Sequence, residues 1–224
     1  MGFTQRRPNT DPPQSEARVR ASLVQTLSAE SGVEDGRILD AFARVPRHLF
    51  VPSNEHDSAY NDVALPIGFK QTISQPSMIA IMLAALQIKP GDRVLEVGGG
   101  SGYAAALLAE LGAAEVYTIE ILPELAARAE AALANLGYSQ VHVLNRNGRH
   151  GLPEHAPYDA ILVSAGAEGV PHELERELAL GGRIAIPVGD LEEQQLLVGH
   201  KTSQGEMTWE RSVPCIFVPL VGTD

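Results

Sequence analysis

The 224-residue sequence predicts an α/β fold, a mostly parallel central sheet with helices on both faces. Three observations predict it. Strand-like apolar runs alternate with helix-length segments from residue 93 to residue 188. One of those strands passes through an acidic residue into a glycine turn, V-L-E-V-G-G-G-S-G over 94–102. The next strand ends in a carboxylate, Glu120, 22 residues after Gly98.

Taken in order, residues 1–14 hold three prolines among polar residues without periodicity and predict a disordered tail. Val19, Leu23 and Leu27 recur at four-residue spacing and predict a helix from Ser15 onward; Ile38, Phe42 and Val45 mark a second, stopped by Pro46. Together they form a small N-terminal helical cap. From His48 to Gln75, with Pro52, Pro66 and Gly68, the chain reads as a long irregular segment, and such segments in compact domains are often functional. Pro76 suits the first turn of a buried helix through M-I-A-I-M-L-A-A-L, with Ser74 or Gln75 as its N-cap. Strands are then predicted at 93–97, 115–119, 141–144, 158–164 and 183–188, with helices at 101–111, 123–136 and 171–179. Strand-like runs at 195–200 and 212–219, around Gln204-Gly205, predict antiparallel C-terminal strands. The chain thus divides into the tail 1–14 and one domain, 15–224. Within it 15–75 is the cap and substrate-side segment and 76–224 the cofactor-binding core.

Composition narrows the function. Charged residues make up 20% and hydrophobic ones 44%, globular values, and no apolar run reaches the ~18 residues of a membrane span. The net charge of −11, without a Lys/Arg cluster, repels phosphate polymers and argues against a nucleic-acid substrate. A single cysteine, Cys215, allows no internal disulfide and suits a cytoplasmic location; in a strand-like run it reads as a small buried apolar residue. His150 and His155 flank a loop but lack the further ligands a metal site requires, so no metal is expected.

The glycine turn separates cofactor classes. A dinucleotide fingerprint, G-x-G-x-x-G, places its third glycine where this chain has Tyr103. Here the spacing is G-x-G-x-G, with Glu96 two residues upstream. This resembles the first motif of S-adenosylmethionine (AdoMet) methyltransferases, whose cofactor carries an ammonium that a neighbouring carboxylate suits. Glu120 stands where nucleotide-binding α/β folds hold ribose hydroxyls, a device that NAD folds share. The resemblance implies a Rossmann-like AdoMet-dependent methyltransferase fold, with Glu96, Gly98, Gly99, Gly100, Ser101, Gly102, Glu120 and Ile121 holding the cofactor.

Further segments narrow the class: V-P-R-H-L-F-V-P, A-L-P-I-G-F-K-Q-T-I-S-Q-P, Y-D-A-I-L-V-S-A, G-G-R-I-A-I-P-V-G and F-V-P-L. Together they resemble the protein-L-isoaspartate O-methyltransferase family over roughly residues 17–221. The resemblance implies methyl transfer from AdoMet, leaving S-adenosyl-L-homocysteine, to the α-carboxylate of isoaspartyl residues in damaged proteins. The ester then closes to a succinimide, and hydrolysis returns part of the chain to normal aspartate. It implies Ser74 as the active-site residue, with Ile73 and Gln75 beside it toward the substrate; spacing alone favours a plain helix cap. The free N–H groups of the following helix would help to hold the carboxylate. Arg44, Arg47, His48 and Lys70 are the basic groups expected nearest the cleft, and Lys70 is read as an attractor of the anionic substrate. A monomer is expected.

The sequence departs from the family pattern at two places. Arg146-Asn147-Gly148 stands where G-D-G is usual, so Asn147 would accept from the adenine amino group without a charge, and Arg146 would either stack on the base or obstruct it. Gly98-Gly99-Gly100 replaces the common Gly-Thr-Gly, which reads as added backbone freedom. Two alternatives stay open: a carboxyl methyltransferase dedicated to an Asp-containing peptide, and a non-catalytic isoaspartyl- and AdoMet-binding module.

Overall fold

A computed structural model describes residues 14–222; the expected tail, apart from Gln14, lies outside the described residues. At the N-terminus α1 (Gln14–Glu30) packs against α2 (Gly36–Arg44). Asp35 caps α2 by accepting from the Arg37 N–H, and Ile38, Ala41 and Phe42 form its buried stripe. Both helices lean on the sheet-covering helices α3 (Pro76–Leu86) and α4 (Tyr103–Glu110), so the cap shares their core. Among the described residues no helix is long and apolar enough to cross a membrane.

Seven strands form the central sheet in the order β5-β4-β3-β6-β7-β8-β9. The first five, β3 (Arg93–Val97), β4 (Glu115–Glu120), β5 (Val141–Asn145), β6 (Tyr158–Val163) and β7 (Leu178–Gly189), pair in parallel. β8 (Gln194–Lys201) and β9 (Met207–Cys215) add antiparallel pairs. After β3 the chain winds outward through α5 (Pro123–Asn135) to β5, then returns to the other side of β3 through β6, with α6 (His172–Glu177) leading into β7. That reversal opens a crevice at the carboxyl ends of β3 and β6, the position at which such sheets bind ligands.

Two elements differ from the sequence expectation. The irregular segment contains a hairpin, β1 (Leu65–Gly68) and β2 (Gln71–Ile73), turned by Phe69 and Lys70 at φ 53° and 59°. Such a left-handed pair is usually Asn-Gly or Asp-Gly, so the turn carries no sequence signal. The last strand is Met207–Cys215, not 212–219. It is an edge strand with many exposed positions, whereas the apolar residues after Cys215 leave the sheet. Their path is held by Gln194, fully buried, whose side chain accepts from the Phe217 N–H at 2.8 Å and donates to the Phe217 carbonyl at 3.1 Å. Gly166 completes the anchorage through its bridge to Pro219, donating to the Val218 carbonyl at 2.8 Å and accepting from the Leu220 N–H at 2.7 Å.

Candidate active site

The glycine turn lies at the crevice. Gly98 and Gly99 both donate to the Ile119 carbonyl at 2.9 Å, and Gly98, Gly100 and Gly102 adopt φ of 87°, 52° and 85°. These conformations are open to glycine at little cost. Gly99 has a different reason: a Cβ there would meet Thr118 Oγ1 at 2.2 Å. The expectation of mere added freedom is therefore corrected, because the Thr118 hydroxyl fills that space and donates to Glu96 Oε2 at 2.7 Å. Glu96 is only 1% exposed. Burial pushes its carboxyl up to about 8, with Glu120 adding to the shift and hydrogen bonds from Thr118 and Ser164 opposing it.

Glu120, at the tip of β4, locks the turn. Its Oε2 accepts from the Gly100 N–H at 2.8 Å and its Oε1 from the Leu122 N–H at 2.9 Å. Beside it opens a cleft lined by Gly98, Gly100, Ile119, Glu120, Ile121, Leu122, Gly148 and, from the hairpin, Phe69 and Thr72. The opposite wall is Val218–Val221. The Arg128 guanidinium of α5 ties the hairpin down, donating to the Ile67 carbonyl at 2.5 Å and lying 5.8 Å from the Phe69 ring centre. A mixed apolar cleft with a convergent carboxylate and turn amides has the lining that suits a nucleoside-bearing cofactor.

A second cleft, lined by Ala64, Thr72, Ser74, Gln75, Met78, Ser164 and Pro214–Val218, adjoins it. Thr72, Ser164 and Val218 line both clefts. Between them a smaller recess brings Ile73, Ser74, Glu96, Gly98, Gly99, Gly100 and Ser101 together. Ser74 therefore lines both the second cleft and the recess that holds the glycine turn, half-buried, and its hydroxyl has no hydrogen-bond partner among the described residues.

Several sequence expectations are corrected. Ser74 does not cap α3, and Gln75, the cap residue, makes no side-chain capping bond. Asp62 does that work, accepting from the Ser77 N–H at 2.7 Å and from Gln75 Nε2 at 2.9 Å. With no N–H on Pro76 and the Ser77 N–H given to Asp62, the first two helical positions offer no free donor to an anion. Asn147 is not among the cleft-lining residues; its side-chain oxygen caps a one-turn helix by accepting from the Arg149 N–H at 3.0 Å, and Gly222 packs against it. Gly148 does line the cleft, and a Cβ there would meet Val97 Cγ1 at 2.5 Å. Arg146 neither stacks in the cleft nor blocks it, because it pairs with Glu154 on the surface. Arg44 pairs with Asp40 and Glu110, and Lys70 stands exposed at the hairpin tip.

Sequence reasoning missed the hairpin residues Phe69 and Thr72 and the wall Val218–Val221. Ser164 was within reach, since it follows β6 and the carboxyl ends of strands next to a reversal are site positions.

Fold and turn define an AdoMet-dependent methyltransferase. Comparison with known proteins makes this specific: the family model "Protein-L-isoaspartate(D-aspartate) O-methyltransferase (PCMT)" matches residues 18–224. The chain belongs to that family. Protein-L-isoaspartate O-methyltransferases of Roseiflexus sp. (strain RS-1) and Roseiflexus castenholzii are 49% and 53% identical to it, over 92% and 91% of this chain and 93% and 92% of theirs. A solved protein-L-isoaspartate O-methyltransferase superposes with a TM-score of 0.80 at 29% identity, covering 91% of this chain and 66% of that one. A Plasmodium falciparum protein described as a beta-aspartate methyltransferase, solved in complex with S-adenosyl-L-homocysteine, shares the fold with a TM-score of 0.80 at 24% identity.

Proposed function

We propose that Ser74 receives the substrate α-carboxylate while the Gly98–Gly102 turn, Glu96, Glu120, Ile121 and Gly148 hold the methyl donor. The reaction is the family's, transfer of a methyl group from AdoMet to the α-carboxylate of an L-isoaspartyl residue. The observation that carries this division is the place of Ser74 in both the second cleft and the recess that contains Glu96 and the glycine turn.

When bound, AdoMet supplies a sulfonium methyl; a carboxylate oxygen forms the new C–O bond as the S–C bond breaks. A carboxylate with pKa near ~4 is already ionised at neutral pH, so the chain need not supply a general base. Its residues bind, orient and exclude water. Ser74 contributes an uncommitted hydroxyl, Glu120 the turn geometry and an acceptor for ribose hydroxyls, and Glu96 a carboxyl for the donor's ammonium. Damaged proteins and peptides bearing isoaspartate are the partners, and this reading places the enzyme in the cytoplasm.

Glu96 gives the assignment a pH signature. Its ligand-free carboxyl stays protonated up to about 8, so an arriving ammonium must displace that proton. Affinity for S-adenosyl-L-homocysteine is expected to rise up to about ten-fold per pH unit below that point and to level off above it. Stability runs the other way. The unfolded carboxyl releases its proton near 4.5, so the stability that neutral Glu96 confers is complete below that pH and lost as pH rises to about 8. Calorimetric titrations and melting curves of wild type and Glu96→Gln between pH 5 and 9 check both trends, and a flat wild-type binding profile would refute the pairing.

The function itself is tested with labelled AdoMet, an isoaspartyl peptide and its normal aspartyl twin, followed by methanol release from the unstable ester. Turnover of the isoaspartyl peptide alone is expected. Silence with both peptides despite cofactor binding would point to a binding module instead.

A further inference from the structure

Arg47 is fully buried at 0% exposure, heads the largest fully buried side chains and forms no ion pair among the described residues. Its Nη2 donates to the carbonyls of Ser74 at 3.0 Å and Val63 at 3.3 Å, and its guanidinium lies 5.0 Å from the Tyr103 ring centre. A buried charge without a counter-charge is costly, and carbonyl dipoles and a ring face offset only part of that cost. The fold does pair such a group elsewhere: Arg183, also buried, meets Asp92 at 2.6 Å. Near Arg47 the acid is Asp62, whose charge favours the ionised guanidinium, but it forms no ion pair with it and its two oxygens accept from the Ser77 N–H and the Gln75 amide. Arg44, Arg128 and Arg146 are engaged elsewhere. The chain is strongly acidic and its substrate is an anion.

We propose that Arg47 is a positioning residue whose guanidinium, paired with no carboxylate and bonded to the Ser74 backbone, makes the Ser74 site selective for a carboxylate over its neutral isostere. A closer counter-charge arrives with the substrate. Through the Ser74 carbonyl the same group fixes a residue that lines both the second cleft and the recess. An opposite charge within ~4–6 Å is the range over which such a cation favours an ionised partner. This inference rests on the reading of Ser74 as the substrate-carboxylate residue.

The test compares binding of an isoaspartyl peptide with that of the same peptide carrying an α-carboxamide, by calorimetry on enzyme saturated with S-adenosyl-L-homocysteine. Wild type is expected to favour the carboxylate. In Arg47→Met that preference should fall by about ten-fold or more, while affinity for S-adenosyl-L-homocysteine changes less than about two-fold. Arg47→Lys should restore most of the preference, and the loss should appear in KM before kcat. Asp62→Asn retains a side-chain oxygen for the Ser77 N–H but removes the nearest negative charge, so its preference should rise. It serves as the decisive arm if Arg47→Met does not fold. An unchanged preference in a folded Arg47→Met, or an unchanged or lower one in Asp62→Asn, overturns the proposal. Wild-type turnover of the isoaspartyl peptide alongside such a result confines the failure to Arg47; no wild-type turnover sinks both readings.

Discussion

Replacing Glu120 with Ala is expected to weaken binding of S-adenosyl-L-homocysteine by about 100-fold or more and to abolish most methyl transfer at ordinary cofactor concentrations. Glu120 is 6% exposed and accepts two backbone bonds, from Gly100 and from Leu122. Each hydrogen bond to a charged acceptor is worth about 1.5–3 kcal/mol, and deletion leaves both donors unsatisfied at the edge of the cleft. The Gly100 bond holds the middle of the glycine turn; the Leu122 bond holds the start of α5. Glu120→Gln should fall between, because its amide keeps one acceptor oxygen but turns an NH₂ toward the second N–H. Calorimetry on both variants decides the matter. Near-wild-type affinity in a folded Glu120→Ala would show that the carboxylate neither shapes nor touches the donor site.

Arg183→Met should produce the largest loss of stability. Arg183 donates to the Leu86 carbonyl at 2.7 Å, the Gln87 carbonyl at 3.3 Å and Asp92 Oδ2 at 2.6 Å. Asp92 in turn accepts from the Lys89 N–H, so the pair joins the end of α3 to the start of β3. With both side chains about nine-tenths buried, removing the cation strands a carboxylate in the interior, at a cost of about 3–5 kcal/mol. For a chain of this size that corresponds to a fall in melting temperature of about 10 °C. The pair sits at the opposite end of β3 from the glycine turn, so cofactor affinity measured at low temperature should be preserved. Adding Asp92→Leu should recover part of the loss, since a well-packed apolar pair replaces a buried ion pair at little cost. A melting temperature within about 2 °C of wild type for the single variant would mean that water reaches Asp92.

The parallel core was legible because strands covered on both faces read as continuous apolar runs, and V-L-E-V and Y-D-A-I-L-V do so with turns at either end. The hairpin was not, because Pro66 and Gly68 read as breakers and Phe69-Lys70 is not a turn pair that sequence rules recognise. At the C-terminus the run 212–219 reads as one strand, but only its start, to Cys215, pairs in the sheet. Beyond it Phe217 is held by the buried Gln194 and Val218 by Gly166, long-range contacts invisible to local periodicity. The same division holds at the site. Glu96, Glu120, the glycines and Ser74 are motif residues and converge on the crevice. Arg47 and Asp62 have a charged residue's default reading, solvent, and only the packing of the 47–62 segment against α3 puts one in the interior and the other on a helix terminus. At Asn147 the local structure is likewise unannounced: its oxygen caps a one-turn helix by accepting from the Arg149 N–H, a choice that neighbouring backbone makes and residue type does not.

The stretch from Cys215 to Val221 lines the Ser74 cleft up to Val218 and the Glu120 cleft from Val218 onward. One strip thus borders both compartments, so wherever it shifts on entry of one ligand it alters the space left for the other. The linkage is reciprocal, so by whatever factor the donor changes affinity for peptide, the peptide changes affinity for the donor.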